Sequence, residues 1–237
     1  MSFKDLNNEE LKEYCVLTER TCLYPSLVSG IQELIKRDYP LDTDLRNLLS
    51  VGYKNLISPQ RTAWQLLNRD REDSEVPEDQ KKTMQMLKVE VSKKLVENCD
   101  QLLTLPVFSK KGDTEEEIFY LKLKGDYLRY KIEVSNDEEK KKIIEESETA
   151  YAQATTIATK TLNCYHPLRL GLALNYSVFL YEIKRDRSKA IESARSTFDE
   201  AVRDLPETSD KSYKDITLIL QLLRDNITLW TNEEDDS

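Results

Sequence analysis

Glycine, proline and histidine are scarce in this chain of 237 residues. It holds 5 glycines and 7 prolines, too few for the many tight turns of a β-sandwich, barrel or propeller. No two of the glycines are close enough to form the glycine-rich loop that cradles phosphate in Rossmann and P-loop enzymes. Charge is abundant, at 33% of residues, and aliphatic residues recur at helical spacing. The sequence therefore predicts an all-α protein.

The sequence also lacks the usual signatures of catalysis and metal binding. The one histidine, His166, stands at a predicted helix start before Pro167, where capping or packing is a more frequent role than catalysis. There is no HExxH, GxSxG or GxxxxGK, and the four cysteines include no CxxC pair and no cluster with metal-ligand spacing. We therefore expect no catalytic residue, no metal ion and no cofactor.

The charge balance and the lack of long apolar runs restrict the partners. Acidic residues outnumber basic ones by 44 to 35, and phosphate backbones instead attract positive proteins. The longest uncharged runs, 21–32 and 170–181, have 12 residues each, short of the roughly 18–20 that span a bilayer. The amino-terminal residues are polar and lack the apolar core of a signal peptide. We expect no nucleic-acid partner, no membrane association and a cytoplasmic location, with the nucleus left open.

Nine helices are predicted from apolar periodicity and from the positions of the prolines. Asp42 or Thr43 is expected to cap the third helix, and Pro59 to kink it. We expect a single domain over residues 1–231 and an acidic, disordered tail at 232–237. The predicted helices cover about 8–22, 25–37, 43–69, 77–105, 115–134, 138–162, 167–184, 188–203 and 211–231.

Two of these helices each carry a lysine and an arginine seven residues apart. Lys54 and Arg61 form one pair, and Lys122 and Arg129 form the other. Seven residues are about two helical turns, so both members of a pair share a face. Tyr130 follows Arg129 and adds a hydroxyl. Together, two such helices could bind a doubly charged, three-oxygen anion through ammonium, guanidinium and hydroxyl donors.

Two acidic residues flank Arg129 on its own helix. Asp126 precedes it by three residues and Glu133 follows it by four, positions from which a carboxylate could hold the guanidinium in place. Lysine and arginine at this spacing are also typical of an ordinary solvated surface. That alternative stays open.

Two further helices carry short apolar rows, each next to an asparagine. Asn175 and Asn226 could bind a peptide main chain, because an amide side chain both donates and accepts hydrogen bonds. Such rows are also typical of a protein core. The rows comprise Leu174 and Val178 in one helix and Leu218, Ile219, Leu222 and Leu229 in the other.

Residues 172–202 support a different interpretation. Their small and aromatic residues have the spacing of one tetratricopeptide-like helix pair, although no clear second copy precedes it. A helical scaffold that binds unphosphorylated peptides is therefore the alternative function, and an enzyme of unknown type is a third.

Two segments closely resemble the signature sequences of the 14-3-3 family. They read RNLLSVGYKN at 46–55 and YKDITLILQLLRDNITLW at 213–230. Residues 119–134 and 166–183 resemble two further family segments, and the resemblance is collinear over roughly residues 40–231. It implies a nine-helix antiparallel bundle, cup-shaped with a peptide-binding groove. It also implies a homodimer formed through the amino-terminal helices.

The resemblance further implies an adaptor without enzyme activity, which binds protein segments carrying phosphoserine or phosphothreonine. Matched residue by residue, the implied phosphate ligands are Lys54, Arg61, Arg129 and Tyr130. The implied partners are phosphorylated client proteins. The implied peptide contacts are Lys122, Leu174, Asn175, Val178, Glu182, Leu218, Ile219, Leu222, Asn226 and Trp230.

Several positions depart from the family pattern. Gln60 and Gln65 stand where the family usually has basic residues near the phosphate. Two regions resemble the family poorly: residues 1–40, which include the implied dimerisation region, and residues 68–118. The positions where dimer-interface charges and a tyrosine are expected hold Leu23, Ser26, Leu87, Glu90 and Lys94.

Overall fold

The computed structural model of the chain describes residues 3–71, 76–109, 114–206 and 211–235. These residues form nine α-helices and one 3-10 turn at Pro106–Ser109, and within them there is no strand. The prediction of an all-α protein is confirmed, and each predicted helix end lies within four residues of an observed one. The helices are α1 (Asn8–Arg20), α2 (Tyr24–Lys36), α3 (Thr43–Arg71), α4 (Glu78–Leu103), α5 (Thr114–Val134), α6 (Asp137–Thr161), α7 (Pro167–Glu182), α8 (Arg187–Asp204) and α9 (Lys211–Asp235).

The helices form two compact units, which are described separately. Unit 1 is Met1–Lys110 and contains α1 to α4, and unit 2 is Lys111–Ser237 and contains α5 to α9. Within each unit, every helix packs on the next one along the chain. A single domain over residues 1–231 stays a prediction.

Polar side chains fix several helix starts. Asn7 forms a capping box with Glu10 at the start of α1. The Oδ1 of Asp42 accepts a hydrogen bond from the Leu45 amide at 2.9 Å, and the Nδ1 of His166 accepts one from the Leu168 amide at 3.3 Å. The predicted cap at Asp42 and the structural role of His166 are thus confirmed.

Two helices extend beyond their predicted ends. α3 runs through Pro59 to Arg71, and the kink at Pro59 stays a prediction. α9 reaches Asp235, so residues 232–235 are helical instead of disordered. Acidic residues are unfavourable near a helix C-terminus, but no glycine or proline stops α9 at residue 231. Residues 236 and 237 of the predicted tail lie outside the described residues.

The core of unit 1 lies between α1, α2, α3 and α4. Periodic apolar residues of these helices are almost completely buried, as their helical spacing predicts. Because this apolar face is buried, the opposite face of α3 is left for polar side chains. The largest fully buried side chains of the unit are Leu11, Leu27, Ile31, Leu34, Leu45, Leu49, Tyr53, Ile57, Leu95 and Leu102.

The core of unit 2 combines aromatic and small side chains. Tyr151 and Phe179 are fully buried and contact each other, with ring centroids 5.5 Å apart. Small residues let the surrounding helices approach closely. The small buried residues of this core are Ala154, Ala158, Ala190, Ala194 and Ala201.

Candidate functional site

The cation pair of unit 1 lies on the polar face of α3. Lys54 is exposed and Arg61 is half-buried. The neighbouring Tyr53 and Ile57 are buried in the core, which turns Lys54 toward solvent. As predicted, both cations lie on one helix, α3, and Arg61 is the more buried of the two.

The structure assigns a packing role to one of the departures from the family pattern. The Oε1 of Gln60 on α3 accepts a hydrogen bond from the Nδ2 of Asn98 on α4, at 3.1 Å. Gln65, one turn beyond Arg61, is exposed. The amide side chains of Gln60 and Asn98 thus connect α3 with α4. Spacing along one helix could not reveal this, because the partner is 38 residues away.

The cation pair of unit 2 lies in a much more buried setting on α5. The Arg129 side chain is only 8% exposed, and Lys122 is largely buried. Arg129 lies over the Tyr130 ring, with its guanidinium carbon 4.8 Å from the ring centroid. Its nearest anion is Glu182 on α7, which is about half exposed and lies 3.7 Å from the guanidinium.

Asp126 is a buried carboxylate that connects three helices of unit 2. Its Oδ2 accepts a hydrogen bond from Lys122 Nζ at 2.8 Å. Its Oδ1 accepts two more, from the Tyr151 hydroxyl at 2.6 Å and from the Asn175 amide at 2.8 Å. Asp126 therefore bonds to Lys122, Tyr151 and Asn175, and that it also helps to hold Arg129 in place stays a prediction. Burial would lower the pKa of the Arg129 guanidinium, but Tyr151, Tyr130 and the charge of Asp126 raise it above its usual value.

The ionisation of this cluster follows from its surroundings. Burial alone would raise the pKa of the Asp126 carboxyl, but the charges of Lys122 and Arg129 and the hydrogen bonds it accepts lower that pKa below its usual value. Burial and the nearby Asp126 charge raise the pKa of the Tyr151 phenol well above its usual range. Asp126 is therefore an anion that accepts hydrogen bonds, and Tyr151 is a neutral phenol whose hydroxyl donates one of them.

Arg129 has an unused hydrogen-bond donor. Among the described residues, its buried Nε has no hydrogen-bond partner. The Glu182 oxygen, at 3.7 Å, is beyond hydrogen-bonding distance. Because its paired carboxylate is too far away for a hydrogen bond, this guanidinium is suited to an anionic ligand that supplies closer acceptor oxygens.

α5 and α6 approach closely beside this cluster because position 125 has no side chain. A Cβ on Gly125 would lie 2.8 Å from the Tyr151 ring, closer than such atoms approach in proteins. The Ser147 hydroxyl of α6 also donates to the Gly125 carbonyl, at 3.0 Å. The sequence analysis missed Tyr151, Ser147 and this role of Gly125, since nothing in the spacing along α5 points to α6.

The predicted peptide contacts on α7 differ in their surroundings. Leu174 and Val178 are half-buried and pack against the core of unit 2. Asn175 uses one amide hydrogen for Asp126 and has a second donor and an oxygen left. Glu182, at the end of α7, is paired with Arg129.

The predicted contacts on α9 fall into an exposed and a buried group. Leu218 and Leu222 are exposed, whereas Ile219 and Asn226 are half-buried. Trp230 is 4% exposed and stacks on Tyr181 with centroids 4.6 Å apart, so its ring packs in the core in this structure. A contact between Trp230 and a peptide stays a prediction.

The structure thus brings one group of predicted residues together within unit 2. Lys122, Arg129, Tyr130, Asn175 and Glu182 are connected by the contacts above. Lys54 and Arg61 belong to unit 1, and their action on the same ligand stays a prediction.

Neither a candidate metal site nor a membrane-spanning helix occurs in the described part of the chain. There, no group of three or more histidine, cysteine, aspartate or glutamate side chains could hold a metal ion. In the same residues, no helix has the length and apolarity needed to cross a membrane.

Comparison with known proteins gives consistent matches. A sequence profile described as 14-3-3 protein matches residues 15–231, so the match includes much of the poorly resembling amino-terminal region. The 14-3-3 protein homolog 1 of Schistosoma mansoni is 38% identical over 98% of this chain and 92% of its own length. The 14-3-3 protein zeta of Bombyx mori is 38% identical over 96% of this chain and 94% of its own. The 14-3-3-like protein 2 of Caenorhabditis elegans is 38% identical over 95% of this chain and 92% of its own length.

Proposed function

The chain belongs to the 14-3-3 family, and from this premise we propose that it is an adaptor that regulates other proteins by binding their phosphoserine or phosphothreonine segments. Arg129 is the observation that carries the proposal. Its guanidinium is buried and permanently charged, and its ion-pair partner Glu182 is 3.7 Å away, beyond hydrogen-bonding distance, so it needs a closer anion with acceptor oxygens. A phosphate group, with three acceptor oxygens and about −1.5 to −2 charges at pH 7, meets these needs.

The charges around Arg129 favour a dianion over a neutral hydroxyl. Lys122 and Arg129 contribute two positive charges, and the buried Asp126 offsets one of them. Glu182 offsets the other only weakly, because it is half exposed and 3.7 Å away. An unphosphorylated serine would leave Arg129 with Glu182 as its distant, half-exposed counterion, so phosphorylation of the client would create the affinity.

The proposed ligand residues include both units. Arg129 and Tyr130 of unit 2, and Lys54 and Arg61 of unit 1, are proposed to bind the phosphate. The remaining residues are proposed to bind the peptide around it, with Asn175 and Asn226 on its main chain and exposed Leu218 and Leu222 on its apolar side chains. The other proposed peptide contacts are Lys122, Leu174, Val178, Glu182, Ile219 and Trp230.

A fluorescence titration with a phosphoserine peptide and its serine twin tests this function. We expect the phosphopeptide to bind at least about a hundredfold more tightly, because two or more charge-assisted hydrogen bonds are lost with the phosphate. Equal binding of the two peptides would instead support the tetratricopeptide-like scaffold for unphosphorylated segments. Binding of neither peptide across varied flanking sequences would contradict both.

We also propose a homodimer formed through unit 1. Leu17 of α1, Leu23 before α2 and Leu87 of α4 are large apolar residues that unit 1 leaves exposed, Leu23 at 55%. Burying such residues contributes about 25 cal/mol for each Å² removed from water. Light scattering should give twice the chain mass of 27.7 kDa. We expect Leu23→Glu to lower it toward 27.7 kDa, and Val202→Glu, at an exposed position of α8, to leave it unchanged.

The proposal includes a cytoplasmic location and no enzyme activity. The names of the three relatives describe no enzyme. Imaging of a fluorescent fusion tests the location, and turnover of a bound client by the protein alone would contradict the absence of catalysis.

A further inference from the structure

Tyr151 of α6 is a buried residue that none of the ligand assignments includes. Its side chain is fully buried, and its ring packs against Tyr176 and Phe179, with centroids 5.3 and 5.5 Å away. Its hydroxyl donates to Asp126 Oδ1 at 2.6 Å, a short hydrogen bond to a charged acceptor. The ring is thus held by aromatic packing at one end and by a carboxylate at the other.

Asp126 connects the fixed Tyr151 hydroxyl with two side chains that are proposed to contact the peptide. The oxygen that accepts from Tyr151 also accepts from the Asn175 amide, and the second oxygen accepts from Lys122. Asn175 lies on α7 and Lys122 on α5, so a single carboxylate sets the positions of side chains from two helices. A change in the orientation of this carboxylate would move both of them.

The close packing of α5 on α6 fixes the position of the Tyr151 hydroxyl relative to Asp126. Gly125 leaves the space in which the Tyr151 ring lies, and Ser147 bonds the Gly125 carbonyl one turn before Tyr151. The chain therefore has a glycine, a serine and a tyrosine that together place one donor on Asp126. A tyrosine with only a packing role would not need the hydroxyl aimed at a buried charge.

We propose that Tyr151 is a positioning residue of the ligand site: its hydroxyl orients Asp126, and Asp126 in turn holds Asn175 and Lys122 ready for the peptide. This rests on the proposed function, since it assigns Tyr151 a role in the same site. Tyr151 does not touch the ligand. It limits the orientations that the Asp126 carboxylate adopts before a peptide arrives, and so reduces the ordering that binding requires.

Tyr151→Phe removes the hydroxyl and keeps the ring. We expect phosphopeptide affinity to fall about five- to tenfold, because Asp126 loses one charge-assisted hydrogen bond and Asn175 and Lys122 lose their fixed positions. Tyr53→Phe is the matched control. Tyr53 is also fully buried, and its hydroxyl accepts a hydrogen bond from Gln32 at 2.7 Å within unit 1. We expect this control to bind like the unsubstituted protein.

A double-mutant cycle distinguishes positioning from general stability. If Tyr151 acts through Asn175, Tyr151→Phe should weaken binding much less in an Asn175→Ala background than in the unsubstituted protein. Asp126→Asn should likewise weaken binding, and Tyr151→Phe should add little to it. A purely structural role for the hydroxyl predicts additive effects in both backgrounds. Additive effects would overturn the proposal even if Tyr151→Phe alone weakens binding.

The outcomes separate this inference from the proposed function. If the unsubstituted protein shows no preference for the phosphopeptide over its serine twin, the proposed function fails. If it shows that preference and Tyr151→Phe binds equally well, the positioning role alone fails. If Tyr151→Phe does not fold, as judged by circular dichroism, the Asp126→Asn variant decides in its place, and unchanged affinity there overturns the role.

Discussion

α3 and α5 carry the same residue pair at the same spacing in very different surroundings. Lys54 and Arg61 lie on the polar face of α3, with Lys54 exposed to solvent. Lys122 and Arg129 lie in a buried cluster in which Lys122 is bonded to Asp126. Spacing therefore determines which residues share a helix face, but the neighbouring helices determine how strongly their charges act.

The difference matters because solvent screens charge. An exposed lysine interacts with an anion through water and mobile ions, whereas a buried guanidinium acts at short range with little screening. The α5 pair is also preoriented, since its neighbours are fixed by Asp126 and Tyr151. We therefore expect variants of the two helices to differ both in the size of their effects and in their response to salt.

Arg129→Ala should have the largest effect. Removing the buried guanidinium deletes at least two charge-assisted hydrogen bonds to phosphate, and phosphopeptide affinity should fall about a hundredfold. Titration of a labelled phosphopeptide measures this. Arg195→Ala, at an exposed arginine of α8, is the control and should change little. A loss below about threefold for Arg129→Ala, with helicity intact, would remove Arg129 from the phosphate site.

Gly125→Ala should disturb the α5 cluster indirectly. The added Cβ would lie 2.8 Å from the Tyr151 ring, which is packed on all sides and cannot easily yield. Overpacking costs about 1–3 kcal/mol, only partly offset by the roughly 1 kcal/mol that alanine gains over glycine in a helix. Urea unfolding should show a net loss of stability, and phosphopeptide affinity should fall about tenfold.

Gly171→Ala provides the matched comparison for that variant. A Cβ at position 171 on α7 would meet only the Lys122 side chain, at an ordinary distance of 3.7 Å. The helix preference of alanine should therefore prevail, and stability should stay equal or rise by up to about 1 kcal/mol. Equal losses of stability in both glycine variants would show that the contact with Tyr151 is not the cause.

Lys54→Ala should have a smaller effect that depends on salt. Because Lys54 is exposed, its loss should weaken phosphopeptide binding about three- to fivefold at low salt, and less as ionic strength rises. The loss caused by Arg129→Ala should persist in the same salt series. If both losses fade in parallel, the proposed contrast between exposed Lys54 and buried Arg129 does not hold.

Glu182→Gln should have the smallest effect, and in the opposite direction. Its carboxylate lies 3.7 Å from Arg129 and partly offsets the charge that would attract phosphate. Neutralising it should raise the affinity for a phosphopeptide about twofold, because a half-exposed charge at this distance acts weakly. The gain is expected only with the phosphorylated peptide. A gain of the same size with the serine twin would mean that Glu182 repels the peptide and not the phosphate.

The fold was largely predictable from the sequence because its determinants are local. Apolar periodicity placed each helix, and Asp42 and His166 formed the caps expected of them. The main exception is the end of α9, where the acidic composition suggested disorder. Composition could not decide this, since α9 also contains buried residues, such as Leu223 and Trp230, that pack it against the core.

The site was predictable only along single helices. The spacing on α5 correctly placed Lys122 and Arg129 on the same helix and Asp126 beside them, but it could not identify the donors that bond to Asp126. The actual donors to Asp126 include Tyr151, 25 residues away, and Asn175, 49 residues away. Such contacts depend on how helices pack, and no pattern within one helix contains that information.

Pro59 lies between Lys54 and Arg61 and removes one backbone hydrogen bond from the interior of α3. Proline has no amide hydrogen, so the carbonyl of Asn55 lacks the partner that a continuous helix would provide. The two cations of α3 therefore stand on either side of a break in the hydrogen-bond ladder, whereas Lys122 and Arg129 stand on a stretch of α5 without proline. Amide hydrogen exchange would report this difference as two separately opening segments in α3 and a single protected block in α5.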